Sequence, residues 1–262
     1  MSTSTENNKG LRKTGKKIMA IFSILIFCSC SYLPIGDETP DTIKIEEGWD
    51  YVLYEPLNGY KSTTGLLFYP GGLVDPNAYD VVLANFAEQG YKVVLAKMPL
   101  NLAVLNPDAS FRIIDRYPEI DKWVIAGHSL GGAMACEAVK KKQESFEGLV
   151  LFAAYPGENT DLSSWDGAAL SVSASNDLLT TPEEIAEAKV RLPQGIVISN
   201  PNELPNSESE VTTLYYEIQG GNHAQFGSYG PQRGDGEAEI TPEEQLAEIK
   251  SVLTGFWELN KW

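Results

Sequence analysis

Ser129 stands in Gly127-His128-Ser129-Leu130-Gly131, a G-x-S-x-G pattern. KWVIA at 122–126 reads as a buried strand, and LGGAMACEAVKK at 130–141 has the apolar spacing of a helix. A serine on a sharp strand-to-helix turn presents its hydroxyl for attack. The turn needs glycine two residues to either side, because side chains there would meet neighbouring backbone. The Leu130 amide, at the start of the helix, then faces the oxyanion that forms when a serine attacks a carbonyl. A glycine-rich turn capped by a serine is the plain structural alternative.

A serine hydroxyl is a weak nucleophile without a base, and the base needs an acid to orient it. On a site of this kind the partners follow in the order serine, acid, histidine. The chain has two histidines, and only His223 follows Ser129. It lies in GGNHAQFGSYG, residues 220–230, after the strand-like TTLYYEI. A turn histidine is the competing role. Metal binding is disfavoured, since no acidic cluster or second histidine accompanies it in the sequence. His128, next to the serine, points away from the reaction at such a turn. Phe226 and Tyr229 are candidate pocket walls or packing residues.

Asp177 is the favoured acid, because it closely follows the strand-like AALSVSAS and the carboxyl ends of parallel strands collect active-site residues. Asp161 and Asp166, in the polar stretch ENTDLSSWDG, remain alternatives. A second oxyanion donor is expected from YPGGLVDP at 69–76, where Gly71-Gly72 permits close backbone approach to a substrate oxygen. The Gly72 and Leu73 amides are both candidates. This set requires no metal and no organic cofactor.

Such residues must be carried by a framework. Strand-like runs, including TGLLFYP, YKVVLAKMP, EGLVLFAAYP and TTLYYEIQG, alternate with helix-like stretches at NAYDVVLANFAEQG, LAVLNPDASFRIIDRYPE, TPEEIAEAKVRL and TPEEQLAEIKSVLTGFWEL. Several strands are almost continuously apolar, as expected where helices cover both sheet faces. The alternation predicts an α/β fold with a doubly wound, mostly parallel sheet. Residues 42–56 alternate in polarity and predict an antiparallel edge hairpin. Thr181 and Thr241 each precede Pro-Glu-Glu, which is helix-start chemistry. SNPNELPNSESE at 199–210 is a polar break, read as an exposed loop. Only a short loop fits between Pro156 and Trp165, so no sizeable lid is expected.

At the N-terminus, Lys9, Arg12, Lys13, Lys16 and Lys17 precede an apolar run of 13 residues from Ile18 to Cys30. A membrane-spanning helix needs roughly 20 apolar residues, so the run fits a secretory signal better. Ser29-Cys30 resembles the end of a bacterial lipoprotein signal, which makes Cys30 a candidate lipidation site and the protein extracytoplasmic and membrane-anchored. A secreted chain or an uncleaved signal anchor is the alternative. The expected organisation is an anchor over 1–30, a tether over 31–41 and one domain over 42–262. Of 20 basic and 36 acidic residues, loss of 1–29 removes five and one, leaving a net charge of −20. That charge excludes nucleic acid as a partner. Membrane attachment would come from the anchor. Beyond Cys30 only Cys136 remains, so the domain has no internal disulfide and no cysteine cluster for zinc.

YPGGLVDPNAY, VIAGHSLGGAMA, SVSASNDLLT and GGNHAQFGSYGPQRGDG together resemble the α/β-hydrolase superfamily, and most closely its small lidless dienelactone-hydrolase and carboxylesterase-like members. The resemblance covers about residues 42–262. It implies Ser129 as nucleophile, His223 as base and Asp177 as acid. Tyr69-Pro70 departs from the His-Gly of many members, and serine stands where dienelactone hydrolases proper use cysteine. The implied activity is hydrolysis of small or surface-presented carboxylic esters through an acyl-enzyme. A non-catalytic binding module on the same fold and an acyltransferase using the same triad are the rival readings.

Overall fold

Leu66, Leu67, Phe68 and Tyr69 are consecutive and all buried. Neighbouring strand residues point to opposite sheet faces, so a run like this needs cover on both sides. The computed structural model describes residues 31–35, 39–201, 204–205 and 212–262. Among them are nine strands: β1 (Ile43–Glu47), β2 (Tyr51–Pro56), β3 (Thr64–Tyr69), β4 (Lys92–Ala96), β5 (Lys122–His128), β6 (Gly148–Phe152), β7 (Ala168–Ala174), β8 (Gly195–Ile198) and β9 (Thr213–Ile218). They form one sheet in the order β1-β2-β4-β3-β5-β6-β7-β9-β8. Strands β3 to β9 pair in parallel, while β1 and β2 form the expected antiparallel hairpin at one edge.

Five α-helices of the described residues matter to the packing: α1 (Asp80–Ala87), α2 (Ala109–Arg116), α3 (Leu130–Lys141), α4 (Pro182–Ala188) and α5 (Pro242–Leu259). On one face, Leu66, Phe68 and Phe152 pack with Phe86 of α1 and Phe256 and Trp257 of α5. On the other, Leu67, Tyr69 and Leu151 pack with Ile113 of α2 and Ala135 and Val139 of α3. The odd–even split along β3 is the strand period expressed as two cores. Capping boxes start α4 and α5. Thr181 Oγ1 accepts from Glu184 N at 3.2 Å, and Thr241 Oγ1 accepts from Glu244 N at 3.2 Å. Each glutamate carboxylate accepts from the threonine amide in return.

Several features differ from the sequence expectation. The helix expected over 102–119 forms only over Ala109–Arg116, because Pro107 supplies no amide donor and blocks a longer helix. Two short 3-10 turns, Pro99–Asn101 and Ala103–Leu105, occupy the ground before it. Strand β8 was not expected. It is four residues long on the sheet edge, with Ile196 and Val197 exposed, so it lacks the continuous buried run that marks the others. The tether is in part tied to the domain. Tyr32 N donates to Leu73 O and Asp75 N donates to Tyr32 O, and the compact unit runs from Tyr32 to Trp262.

The anchor segment with Cys30, residues 36–38 of the tether and most of the 199–210 break lie outside the described residues. No helix of the described residues is long and apolar enough to cross a membrane. Between β6 and β7 the chain contains no helix, so nothing resembling a helical lid arises there.

Candidate active site

Four connections at the carboxyl edge of the sheet carry the site. Tyr69 pairs with Gly127 at the ends of β3 and β5, which sets the 70–73 turn beside Ser129. Ala174 pairs with Ile218 at the ends of β7 and β9, which sets Asp177 beside His223.

Ser129 has φ 53° and ψ −124°, a region that non-glycine residues rarely occupy. Holding it there costs about 1–3 kcal/mol, which surrounding structure must offset. Its amide donates to Phe152 O at 3.0 Å, fixing the turn to the neighbouring strand. The flanking glycines have the expected reason. A Cβ on Gly127 would lie 2.5 Å from the Gly131 carbonyl carbon, and one on Gly131 would collide with the Tyr69 and Pro70 carbonyl oxygens. Ser129 itself stays half-buried.

Asp177 Oδ2 lies 2.8 Å from His223 Nδ1, and both side chains are essentially fully buried. Asp177 Oδ1 accepts from the amides of Leu179 and Thr180, both at 2.8 Å. With both oxygens acting as acceptors, the ring proton is assigned to Nδ1 and the Nε2 lone pair is left as the basic one. Two main-chain bonds stitch the loops together: Ser175 N to Ile218 O at 3.0 Å and Asn176 N to Gly221 O at 2.9 Å. Asp161 and Asp166 are exposed, and Asp161 Oδ1 accepts from Ser163 N in a local turn. Neither pairs with His223.

The histidine loop has two clamps that no sequence spacing revealed. Asp235 accepts from the amides of His223, at 3.3 Å, and Ala224, at 2.8 Å. Gln245, buried in the first turns of α5, accepts from Asn222 N and donates to Asn222 O, both at 3.0 Å. Asp235 lies in the polar stretch PQRGDG, where nothing in the residue types points to a main-chain clamp, and Gln245 looks like any helix-surface residue. Only their bonding, and the burial of Gln245, mark them out.

Of the candidate oxyanion amides, Leu73 N donates to Asn101 O at 2.7 Å and is occupied. Gly71 N donates to Tyr79 Oη at 2.9 Å. Gly72 N has no acceptor among the described residues. Leu130 N, first in α3, has no intrahelical acceptor either. A Cβ on Gly72 would come 3.0 Å from Leu130 Cδ2, so the two free amides belong to adjoining residues. Of the two candidates, the Leu73 amide is engaged by Asn101 O and the Gly72 amide is left without an acceptor among the described residues.

His128 does not stand apart from the site. Its ring is wholly buried, 4.5 Å centroid to centroid from that of His223. Burial first, and the His223 ring second, push its pKa well below the ordinary value, so it is neutral. Phe226 is fully buried and stacks on His128 and Phe152, each at 5.7 Å. It is core rather than a pocket wall. Tyr229 is buried as well, with its hydroxyl 3.0 Å from Gln232.

A family model described as the alpha/beta hydrolase family matches residues 65–247. No curated protein matches the sequence. Among solved structures, the chain is similar to MGS-MChE2, an alpha/beta hydrolase enzyme from the metagenome of Mar Chica lagoon sediments in Morocco. Identity there is 17%, coverage is 84% of this chain and 100% of that one, and the TM-score is 0.59. A thermostable esterase from Pseudomonas putida is 14% identical, covering 97% and 92%, with a TM-score of 0.57. Esterase B from Lactobacillus rhamnosis, described with a tributyrin phosphonate, is 16% identical, covering 94% and 95%, with a TM-score of 0.56. At these identities the likeness is one of fold.

Proposed function

Since the chain belongs to the alpha/beta hydrolase family, we propose that it is a serine esterase with Ser129 as nucleophile, His223 as general base and Asp177 as the acid that orients it. Ser129 Oγ attacks the ester carbonyl while His223 Nε2 takes its proton. The carbonyl oxygen becomes an oxyanion held by the Gly72 and Leu130 amides. Collapse expels the alcohol, which receives the proton from His223, and leaves Ser129 acylated. Water, deprotonated by the same ring, then releases the acid. Asp177 keeps the proton on Nδ1 and stabilises the imidazolium that forms at each step.

The observation that carries this reading is the 2.8 Å bond between Asp177 and His223, with the other Asp177 oxygen engaged by two amides. It gives the only histidine after Ser129 the tautomer that a general base needs. The lack of a helix between β6 and β7 favours an open site and small or surface-presented esters. A fluorophosphonate probe tests the reading: wild type is labelled and Ser129→Ala is not. An unlabelled wild type, indistinguishable from Ser129→Ala, overturns it. A chain-length series of p-nitrophenyl esters then defines the acyl preference.

The same reading places the protein outside the cytoplasm, exported by the basic and apolar N-terminal stretch and held to the membrane through lipidated Cys30. The support is the 13-residue length of the apolar run and Ser29-Cys30 at its end. Intact mass of the mature protein tests it. A chain beginning at a diacylated Cys30 is expected, and an unmodified full-length chain removes the claim.

A further inference from the structure

Tyr79 is fully buried beneath the site, on a 3-10 turn spanning Pro76–Tyr79 that leads into α1. Its hydroxyl accepts from Gly71 N at 2.9 Å and lies 2.8 Å from His128 Nδ1. A phenol has a single proton. Gly71 takes up a lone pair, so that proton goes to His128 Nδ1. This assigns the His128 ring proton to Nε2, which is buried and faces the His223 main chain. Space around the Tyr79–His128 pair is closed. A Cβ on Gly71 would lie 2.8 Å from Tyr79 Oη and 2.9 Å from His128 Nδ1.

We propose that Tyr79 and His128 are positioning residues for the oxyanion site: the Tyr79 hydroxyl holds the Gly71 amide inward, so that the next amide, Gly72, faces the reacting carbonyl. His128 holds the phenol in place by accepting its hydrogen bond at Nδ1, and its ring backs the ring of His223 at 4.5 Å. One neutral buried hydrogen-bond chain thus joins the oxyanion loop to the wall behind the base. Neither residue touches substrate. The proposal rests on the assignment of Ser129 and Gly72 above.

Purified full-length protein with Tyr79→Phe, His128→Leu, His128→Asn and the double variant Tyr79→Phe/His128→Leu tests it, using p-nitrophenyl acetate and a trifluoromethyl ketone that forms a tetrahedral adduct. Loss of one oxyanion donor costs about 100–1,000-fold in rate, so its misalignment is expected to lower kcat by about 10–100-fold. KM stays within about three-fold, and ketone affinity falls in parallel with kcat. The His128→Asn side chain offers an amide oxygen as acceptor in place of Nδ1. That variant therefore keeps kcat within a few-fold of wild type, while His128→Leu loses it. The double variant is no worse than its worse single variant, because the residues act as one unit.

Unchanged kcat and ketone affinity in Tyr79→Phe overturn the proposal, as do equal losses in His128→Asn and His128→Leu. If Tyr79→Phe fails to fold, the contrast between the two His128 variants decides. Failure of the esterase reading itself would instead appear as a wild type that fluorophosphonate does not label.

Discussion

Asp177 and His223 are 46 residues apart in sequence and 2.8 Å apart in space, joined through Oδ2 and Nδ1. Asp177 reaches this position because its other oxygen is fixed by the amides of Leu179 and Thr180. The carboxylate is therefore presented in a single orientation. The loop that carries the imidazole is held through its main chain, by Asp235 at His223 and Ala224 and by Gln245 at Asn222.

That orientation makes Asp177→Asn a test of tautomer rather than of charge alone. The two amides would select the asparagine oxygen and turn its NH2 toward His223. Nδ1 would then have to accept, and the proton would move to Nε2, where the base is needed. The expected loss is roughly 1,000- to 10,000-fold in kcat. Pre-steady-state acylation rates check it, and a loss below about ten-fold would leave Asp177 without the assigned role.

Ser129 has a positive φ of 53° that glycine would adopt without a Cβ penalty. Ser129→Gly is expected to be inactive and more stable than Ser129→Ala by about 1 kcal/mol, since both lack the hydroxyl and only alanine keeps the strain. Urea unfolding of the two variants measures the difference. Equal midpoints would remove the strain argument.

The Gln245 clamp should matter beyond the helix that carries it. Gln245→Ala leaves the buried Asn222 amide and carbonyl unpaired, at a cost of about 1–3 kcal/mol for the amide. The loop then loses one of its two side-chain clamps and kcat falls, while Asp235 still holds the His223 amide. Amide exchange on residues 222–226 is expected to quicken in this variant. Exchange unchanged from wild type would show that Asp235 alone suffices.

His128 gives stability a pH dependence of defined sign. Folded, its pKa lies well below the ordinary histidine value, chiefly through burial. The unfolded chain titrates at about 6.5. Below that pH the unfolded state takes up a proton that the folded state does not, so stability falls as pH drops toward the folded pKa. Above about 6.5 neither state is protonated at His128 and the contribution vanishes. The slope from this one group approaches about 1.4 kcal/mol per pH unit. Urea unfolding from about pH 7 to about pH 5 should show a steeper loss in wild type than in His128→Asn. Parallel curves would contradict a neutral buried His128.

The continuous apolar runs of β3, β4 and β6 announced a sheet covered on both faces, and the two Thr-Pro-Glu-Glu starts announced capped helices. These features depend on neighbours within a few residues, so local sequence is enough to read them. The glycines around Ser129 were legible for the same reason: the clashes they avoid, with Gly131 backbone and with the end of β3, follow from one turn. His223 could be singled out because only one histidine follows Ser129.

Other relations had no local trace. The sequence left Gly72 and Leu73 equivalent. The structure separates them because Asn101, from the turn after β4, offers its carbonyl to Leu73 N. Position after a strand favoured Asp177 over the loop residues Asp161 and Asp166, but its contact with His223 exists only through the β7–β9 register. Tyr79 and Asp235 stand in stretches that resemble the family, yet nothing in their spacing, or in that of Gln245, shows which groups they bond. Chain-local chemistry sets which residues begin helices, fill strands and permit sharp turns. Strand order sets which of them meet, since hydrogen bonds between residues far apart in the chain exist only once the sheet has placed its loops side by side.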